Sequence, residues 1–119
     1  MSEPYRPTLC LDFDGVLHSY ASGWKGADVV PDPPVDGAQQ FVQEAMKHFE
    51  VVVLSRRSHH PGGIEAMQEW MKANGFPEVD GFPKEKPAAF LTIDDRALTF
   101  DGTWPSVKQL VKFKPWNKR

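Results

Sequence analysis

Cysteine is almost absent from this chain, and it contains neither a long apolar run nor a large excess of one charge. The single cysteine, Cys10, has no partner in the same chain, which excludes an internal disulfide framework or a zinc site built from cysteines. No apolar run approaches the roughly 20 residues of a membrane-spanning helix, and the start, MSEPYRP, lacks the pattern of a signal peptide. We therefore expect a cytoplasmic protein without a membrane segment.

The charge balance argues against a protein that coats nucleic acid. The formal net charge is −2, from 14 basic and 16 acidic residues. Four of the basic residues lie in the tail at 112–119, so the rest of the chain is acidic. We interpret this tail as a solvated terminus rather than a phosphate contact.

The length of 119 residues, 40% of them hydrophobic, fits one domain that spans residues 1–119. Short apolar runs alternate with helical spacings of apolar residues. The runs predict strands at 8–13, 51–54 and 88–93, and the spacings predict helices at about 36–49, 64–73 and 105–113. This order predicts an α/β fold with a central, mainly parallel sheet and helices against it.

Finer features of the pattern refine these elements. The β-branched run at 51–54 is typical of a central strand, and Asp36 is a candidate cap for the first helix. Residues 15–34, which we call the flap, hold too many glycines and prolines for a helix, although a small hairpin fits there. The segment at 76–87 has room for a short strand at most.

Acidic and polar side chains stand where the three predicted strands end. Asp12 and Asp14 close the first strand, Ser55 follows the second, and Asp94-Asp95 follow the third. Ligands of parallel sheets bind at this edge, and four carboxylates there repel one another unless a cation compensates them. Ligands made only of oxygen favour Mg²⁺, which often shares its shell with a phosphate. The pattern therefore predicts a magnesium site and a phosphorylated substrate.

The spacing of Asp12 and Asp14 suits a division of chemical labour. Residues two apart on an extended strand point to the same side, so both carboxyls can face one reacting centre. One can attack phosphorus while the other moves a proton. Gly15, directly after them, permits a sharp turn and brings backbone N–H groups near an anion.

These residues resemble the motifs of the haloacid dehalogenase superfamily of Mg²⁺-dependent phosphohydrolases. Its first motif, DxDG[VT], is similar to DFDGV at 12–16, its second to VVVLS ending at Ser55, and its fourth to LTIDD ending at Asp95. Its third motif, a lysine before the last strand, corresponds to Lys86, which we favour over the nearby Lys84. The resemblance covers roughly residues 8–101.

The resemblance implies roles for individual residues. Asp12 would form the phosphoaspartyl intermediate, and Asp14 would serve as general acid and base and offer its carbonyl oxygen to the metal. Ser55 and Lys86 would hold phosphate oxygens. The implied magnesium ligands are contributed by four aspartates: Asp12, Asp14, Asp94 and Asp95.

The resemblance also implies a fold, a three-layer Rossmann-like sandwich. Members of the family commonly carry a cap domain, for which this chain has little room, so we interpret it as a capless member. An open site admits small phosphate esters or the phosphorylated end of a polymer, and nucleic acid is expected only as a substrate. A neighbouring copy in a homo-oligomer is an alternative way to close the site. Substrate choice would then fall on four flap residues: His18, Tyr20, Trp24 and Lys25.

Weaker signals have two readings each. Arg56 follows Ser55 and either clamps a substrate anion or forms a surface ion pair. His59-His60 are poor metal ligands, because adjacent side chains on a loop rarely converge on one ion. Trp104 and the segment 100–103 before it follow the acidic pair and either frame the pocket or pack elsewhere; of the two readings for Trp104 we favour packing on the core.

Three other functions compete with a phosphomonoesterase. A phosphotransferase usually needs a cap to exclude water. A receiver-type signalling module would place its phospho-accepting aspartate at the end of the middle strand, where the expected arrangement has Ser55. A metal-dependent phosphate-binding protein without turnover would not need both Asp12 and Asp14.

Overall fold

The computed structural model describes residues 5–118 and contains the alternating strands and helices that the sequence predicts. The strands are β1 Thr8–Asp12, β2 Glu50–Leu54 and β3 Leu91–Ile93; the helices are α1 Ala38–Ala45, α2 Gly63–Ala73 and α3 Val107–Val111. Two short 3₁₀ turns, Arg56–His59 and Trp116–Lys118, complete the elements. The domain is thus a small α/β unit. Among residues 5–118, no helix has the length and apolar composition needed to cross a bilayer.

The sheet is parallel throughout, as predicted, and its strand order is β2-β1-β3. The middle strand is therefore β1, and the expectation that β2 is central is wrong. The far side of β2 pairs only through a single parallel bridge between Val52 and Gly81. A continuous apolar run indicates that both faces of a strand are covered, but it does not indicate whether the strand pairs with one neighbouring strand or with two.

One face of the sheet carries the main core. Alternate side chains of β1 and β2, such as Leu11 and Val53, are fully buried together with Val42 of α1 and Met67 of α2. Alternation along a strand sends the intervening side chains to the opposite face, where Cys10 is also buried. The lone cysteine is therefore a free, buried residue, as expected.

Helix α1 is shorter than the predicted 36–49. Its N-cap is Gly37, in the left-handed conformation at φ 82°, so the prediction of Asp36 as the cap is wrong. Phe41, which the spacing assigned to the apolar stripe, is 46% exposed. The chain leaves the α-helix after Ala45 and continues through turns to β2.

Helix α2 agrees with its prediction and begins unusually close to the turn before it. A Cβ at Gly63 would overlap the carbonyl oxygen of Arg57, so only glycine lets the two backbones approach in this way. The helix ends at Ala73, and Asn74 and Gly75 stop it as the sequence predicts.

The C-terminal third packs less closely than expected. Strand β3 covers only half of the predicted 88–93, and α3 has no buried residue, although its apolar side chains were expected to pack against the sheet. Trp104 is 82% exposed, and its ring lies 4.6 Å from that of Phe100 in a tilted arrangement, so the expectation that it packs on the core is wrong. In the described part of the chain, only one face of the sheet is therefore covered by helices with buried side chains.

Residues 15–34, all described, form no helix, strand or hairpin of strands. The flap's backbone pairing of the β type consists of two isolated bridges, from His18 to Asp14 and from His18 to Pro34. The flap is nevertheless fastened to the domain. The Trp70 indole of α2 donates to the Asp32 carbonyl of the flap at 2.9 Å. Within the flap, the Ser22 hydroxyl donates to the Asp32 carboxylate at 2.6 Å.

Candidate functional site

Three carboxylates meet at the edge of the sheet where β1 and β3 end. Asp12 is the last residue of β1, and Asp94 and Asp95 directly follow β3, which pairs with β1 in parallel. One ligand oxygen from each of the three lies within 4.8 Å of the others. We call Asp12, Asp94 and Asp95 the acidic cluster; within residues 5–118 it is the one group of three or more His, Cys, Asp or Glu residues with metal-binding spacing.

The pKa of Asp12 reports how unfavourable this arrangement is without a compensating cation. Burial is the largest cause, and a hydrogen bond with Asp95 and the negative charges of Asp94 and Asp95 add to it; together they raise the pKa to about 8. The three carboxylates repel one another when all of them are ionised, and a divalent cation would offset that repulsion. Three close carboxylate oxygens are also ligands that fit a hard cation such as Mg²⁺.

The carboxylate of Asp14 does not join the acidic cluster. Arg57 donates to it from Nε at 2.9 Å and from Nη2 at 3.1 Å, and His18 Nδ1 lies 2.8 Å from its Oδ1. Burial by itself raises the pKa of Asp14, but the hydrogen bonds from His18 and Arg57 and the charge of Arg57 outweigh burial and lower it. Asp14 is therefore held as an ionised carboxylate.

Arg57 is the side chain that joins this carboxylate to the flap. It is fully buried, and its Nη1 donates to the backbone carbonyls of Gly26, Ala27 and Val29 at 2.9 to 3.0 Å. Its guanidinium also lies 5.0 Å from the ring centroid of Trp24. A buried arginine is tolerated when its donors and its charge are both satisfied. Here the Asp14 carboxylate satisfies the charge, and the flap carbonyls accept from the remaining N–H groups, so Arg57 attaches the flap to Asp14.

His18 links the same carboxylate to the far end of the flap. The backbone N–H of Asp32 donates to Nε2 of His18 at 3.1 Å, so Nε2 is an acceptor and the ring proton sits on Nδ1. Nδ1 therefore donates to Asp14. The fully buried ring stacks on Phe13 at 5.6 Å and meets Trp70 edge-on at 5.4 Å.

Ser55 and Arg56 follow β2 at the same edge of the sheet. The Ser55 hydroxyl oxygen accepts a hydrogen bond from the backbone N–H of Arg57 at 3.1 Å, which leaves its own proton available to a further acceptor. Arg56 is exposed, and its guanidinium lies 5.8 Å from the ring centroid of Trp24. No ion pair of Arg56 is present among the described residues.

The two candidate lysines lie in different surroundings. Burial and the charges of Asp12 and Asp94 raise the pKa of the Cys10 thiol, and the positive charge of Lys86 opposes this increase. The charge of Lys86 therefore influences Cys10 of the middle strand, but among the described residues Lys86 forms no ion pair with the acidic cluster. Lys84 instead lines a cavity of about 270 Å³ with His59 and His60, which are not part of any metal-like cluster in the described chain.

A larger cavity, of about 730 Å³, lies elsewhere. It is formed between α2 and residues 76–82, and none of its lining residues belongs to the acidic cluster. Volume alone would have placed a site there. We place the candidate site at the acidic cluster, because within residues 5–118 it is the one group of His, Cys, Asp or Glu residues with metal-binding spacing.

The sequence reasoning missed two residues of this site. Arg57 was passed over in favour of its neighbour Arg56, because nothing in the local sequence distinguishes the two arginines of the 3₁₀ turn after Ser55. The second is Trp116, whose indole N–H donates to the carbonyl of Gly15 at 2.7 Å. Its only signal in the sequence is an aromatic residue within a basic tail.

Comparisons with known proteins give no relative for this chain: no protein-family model, no curated protein and no solved structure matches it.

Proposed function

We propose that this protein is a Mg²⁺-dependent phosphohydrolase that transfers a phosphoryl group to Asp12 and then to water. The observation that carries the proposal is the convergence of Asp12 with Asp94 and Asp95 at the carboxyl end of the middle strand. We further propose that the chain is a short, capless member of the haloacid dehalogenase superfamily, on the basis of the DFDGV and LTIDD motifs at these positions.

The proposed metal ligands are the carboxylates of the acidic cluster and the backbone carbonyl of Asp14. Mg²⁺ bound there would neutralise charge on the phosphate and lower the repulsion between the carboxylates. Ser55 offers a hydroxyl proton to a phosphate oxygen, and Lys86 adds a positive charge nearby. Arg56 is proposed to bind the rest of the substrate from the rim.

Two displacements at phosphorus make up the proposed reaction. In the first, a carboxylate oxygen of Asp12 forms a bond to phosphorus while the bond to the leaving oxygen breaks, and that oxygen takes the electron pair and a proton. In the second, water attacks phosphorus, the bond to Asp12 breaks, and inorganic phosphate leaves. Asp12 ends as the carboxylate with which it started.

The lowered pKa of Asp14 decides which proton transfer it can assist. As an ionised carboxylate it is suited to accept the proton of the attacking water, and Arg57 and His18 both oppose its protonation. Protonation of the leaving oxygen by Asp14 is therefore the harder step in this arrangement. We expect faster turnover of aryl phosphates, whose leaving groups need no proton, than of alkyl phosphates.

Release of phosphate from an aryl phosphate tests the proposal. With Mg²⁺ we expect turnover that a chelator abolishes, and we expect none for Asp12→Asn, because a neutral amide is a poor nucleophile. The exposed Asp28→Asn variant is a matched control and should keep full activity. Equal turnover by the Asp12 variant and the native chain would refute the assignment of Asp12.

A second candidate is a module that accepts a phosphoryl group or binds phosphate without turnover. Two observations favour it: Asp14 is occupied by Arg57 and His18, and the middle strand ends in an aspartate, so the strand order no longer argues against a receiver-type module. Such a module would form a lasting phosphoaspartate from acetyl phosphate, visible by intact mass, without releasing phosphate. We consider a phosphotransferase less favoured, since no separate cap is formed by the flap.

The fold proposal goes one step beyond the three parallel strands. We propose a three-layer Rossmann-like sandwich that is completed when α3, which is exposed in the structure, packs its apolar side chains onto the second face of the sheet. Its support is the parallel order and the apolar side chains of α3, and its test is amide exchange, where slow exchange over 107–111 is expected.

A further inference from the structure

The last described residues fold back across the chain onto the beginning of the flap. The indole N–H of Trp116 donates to the carbonyl of Gly15 at 2.7 Å, and the Asn117 side-chain amide donates to the carbonyl of Ser19 at 3.0 Å. We call residues 115–118 the C-terminal clasp. Its two hydrogen bonds join parts of the chain about a hundred residues apart in sequence.

The carbonyl that accepts the Trp116 hydrogen bond belongs to Gly15, in the loop that follows Asp12 of the acidic cluster. Gly15 has φ 86°, and a Cβ there would overlap the carboxylate of Asp95, so the loop touches that side chain directly. The backbone N–H of Gly15 donates to the carbonyl of His18 at 2.7 Å, which closes the turn. A shift of Gly15 would therefore change the space available between Asp12 and Asp95.

The clasp is attached by its own contacts rather than by the helix before it. Helix α3 has no buried residue, whereas Pro115, at the start of the clasp, is buried. The Trp116 side chain itself is about half exposed, with 47% of the residue accessible to solvent. Trp116 therefore holds the clasp both by the area it buries and by its directional bond to the loop, and only the bond depends on the indole N–H.

We propose that the C-terminal clasp is a positioning element of the metal site, in which Trp116 acts through Gly15 to fix the distance between Asp12 and Asp95. The inference rests on the proposed function, since it assumes that the acidic cluster binds a divalent cation. Trp116 touches neither the metal nor the substrate in this account. The sequence predicted a solvated terminus at 112–119, so this role of Trp116 was not expected from the sequence.

The test is the affinity of the chain for Mn²⁺, measured by titration calorimetry without any substrate. Trp116→Phe keeps the ring and removes the N–H donor, and we expect it to bind Mn²⁺ about threefold to tenfold more weakly, the effect of one neutral hydrogen bond. Trp104→Phe is the matched control, because Trp104 is 82% exposed and lies outside the clasp; the Mn²⁺ affinity of this variant should differ from that of the native chain by less than about twofold.

Two further measurements distinguish a positioning role of Trp116 from a general loss of structure. If Trp116 acts only on the metal site, excess Mg²⁺ restores the kcat of Trp116→Phe towards that of the native chain, and far-ultraviolet circular dichroism stays unchanged. If Trp116→Phe fails to fold, Asn117→Ala replaces it, since this variant removes the bond to Ser19 from the same clasp, and a weaker Mn²⁺ affinity is again expected.

The outcomes distinguish this inference from the proposed function. Native chain that binds no Mn²⁺ would overturn the metal site, and with it both proposals. Native chain that binds Mn²⁺, with equal affinity in the folded clasp variant, would overturn the clasp alone. A loss that excess metal cannot restore, with altered circular dichroism, would also overturn it, because the clasp would then only stabilise the fold.

Discussion

Replacing Asp12 with asparagine should stabilise the protein in the presence of a chelator, although the same change should abolish activity. The physical reason is the environment of Asp12, where burial, the hydrogen bond with Asp95 and the charge of Asp94 raise the pKa from 3.8 to about 8. The folded chain therefore keeps a proton on Asp12 at neutral pH, whereas the unfolded chain releases it. An asparagine has a similar shape and no such proton to keep.

The sign and size of the effect follow from the direction of this shift. A carboxyl whose pKa is higher in the folded state favours folding most below the unfolded pKa, near 4, and this advantage is lost as the pH rises towards 8. Each pH unit within that window corresponds to about 1.4 kcal/mol, so the limit at pH 7 is about 4 kcal/mol. Water reaching the partly exposed Asp12 reduces this, and we expect a gain of about 1 to 4 kcal/mol.

Urea denaturation of the chelator-treated proteins between about pH 5 and pH 8 measures this gain. The difference in free energy of unfolding between Asp12→Asn and the native chain should widen as the pH rises. Asp28→Asn, which changes an exposed carboxylate of the flap, should stay within about 0.5 kcal/mol of the native chain at every pH. A difference that does not depend on pH, or a destabilised Asp12 variant at pH 8, would refute the reasoning about the acidic cluster.

Three further predictions concern the metal, the flap and the loop. Because the pKa of Asp12 is about 8, divalent metal binding at pH 7 should release a proton, and the affinity should increase with pH up to about 8. Calorimetry in two buffers of different ionisation enthalpy would detect the released proton. An affinity independent of pH would contradict this prediction. Arg57→Gln should cost about 3 to 5 kcal/mol in urea denaturation, because it removes the positive charge of a buried ion pair, whereas Arg56→Gln should cost less than about 0.5 kcal/mol. Similar losses would contradict the difference in burial. Gly15→Ala should weaken Mn²⁺ binding at least about tenfold, because the added Cβ displaces the Asp95 carboxylate of the acidic cluster. Gly23 has a similar positive φ but no atom within 4 Å of an added Cβ, so Gly23→Ala should leave Mn²⁺ binding unchanged. Equal effects of the two variants would show that backbone strain alone is responsible.

The parts of the fold that the sequence predicted well are those decided by local pattern. Strand β1, strand β2 and helix α2 are each marked by a run or spacing of apolar residues and by a polar or glycine end. Helix α3 shows the limit of this reasoning. Its spacing of Val107, Leu110 and Val111 indicates an apolar face, but spacing does not say whether anything covers that face, and all three side chains are exposed.

The candidate site was predictable where the strand ends themselves supply the chemistry. Asp12 and Asp95 lie together because neighbouring parallel strands end at one edge of the sheet. Contacts made across long stretches of chain were not predictable in the same way. Arg57 reaches a carboxylate 43 residues earlier, and Trp116 reaches a carbonyl 101 residues earlier, and no local pattern encodes either pairing.

The most direct test of the account is a crystal structure of the native chain soaked with Mn²⁺, in which anomalous scattering locates the metal. We expect one strong peak about 2 Å from a carboxylate oxygen of Asp12 and from one of Asp94 or Asp95. A fully occupied peak at His59 and His60 instead, or an acidic cluster that stays empty at saturating Mn²⁺, would contradict the central claim.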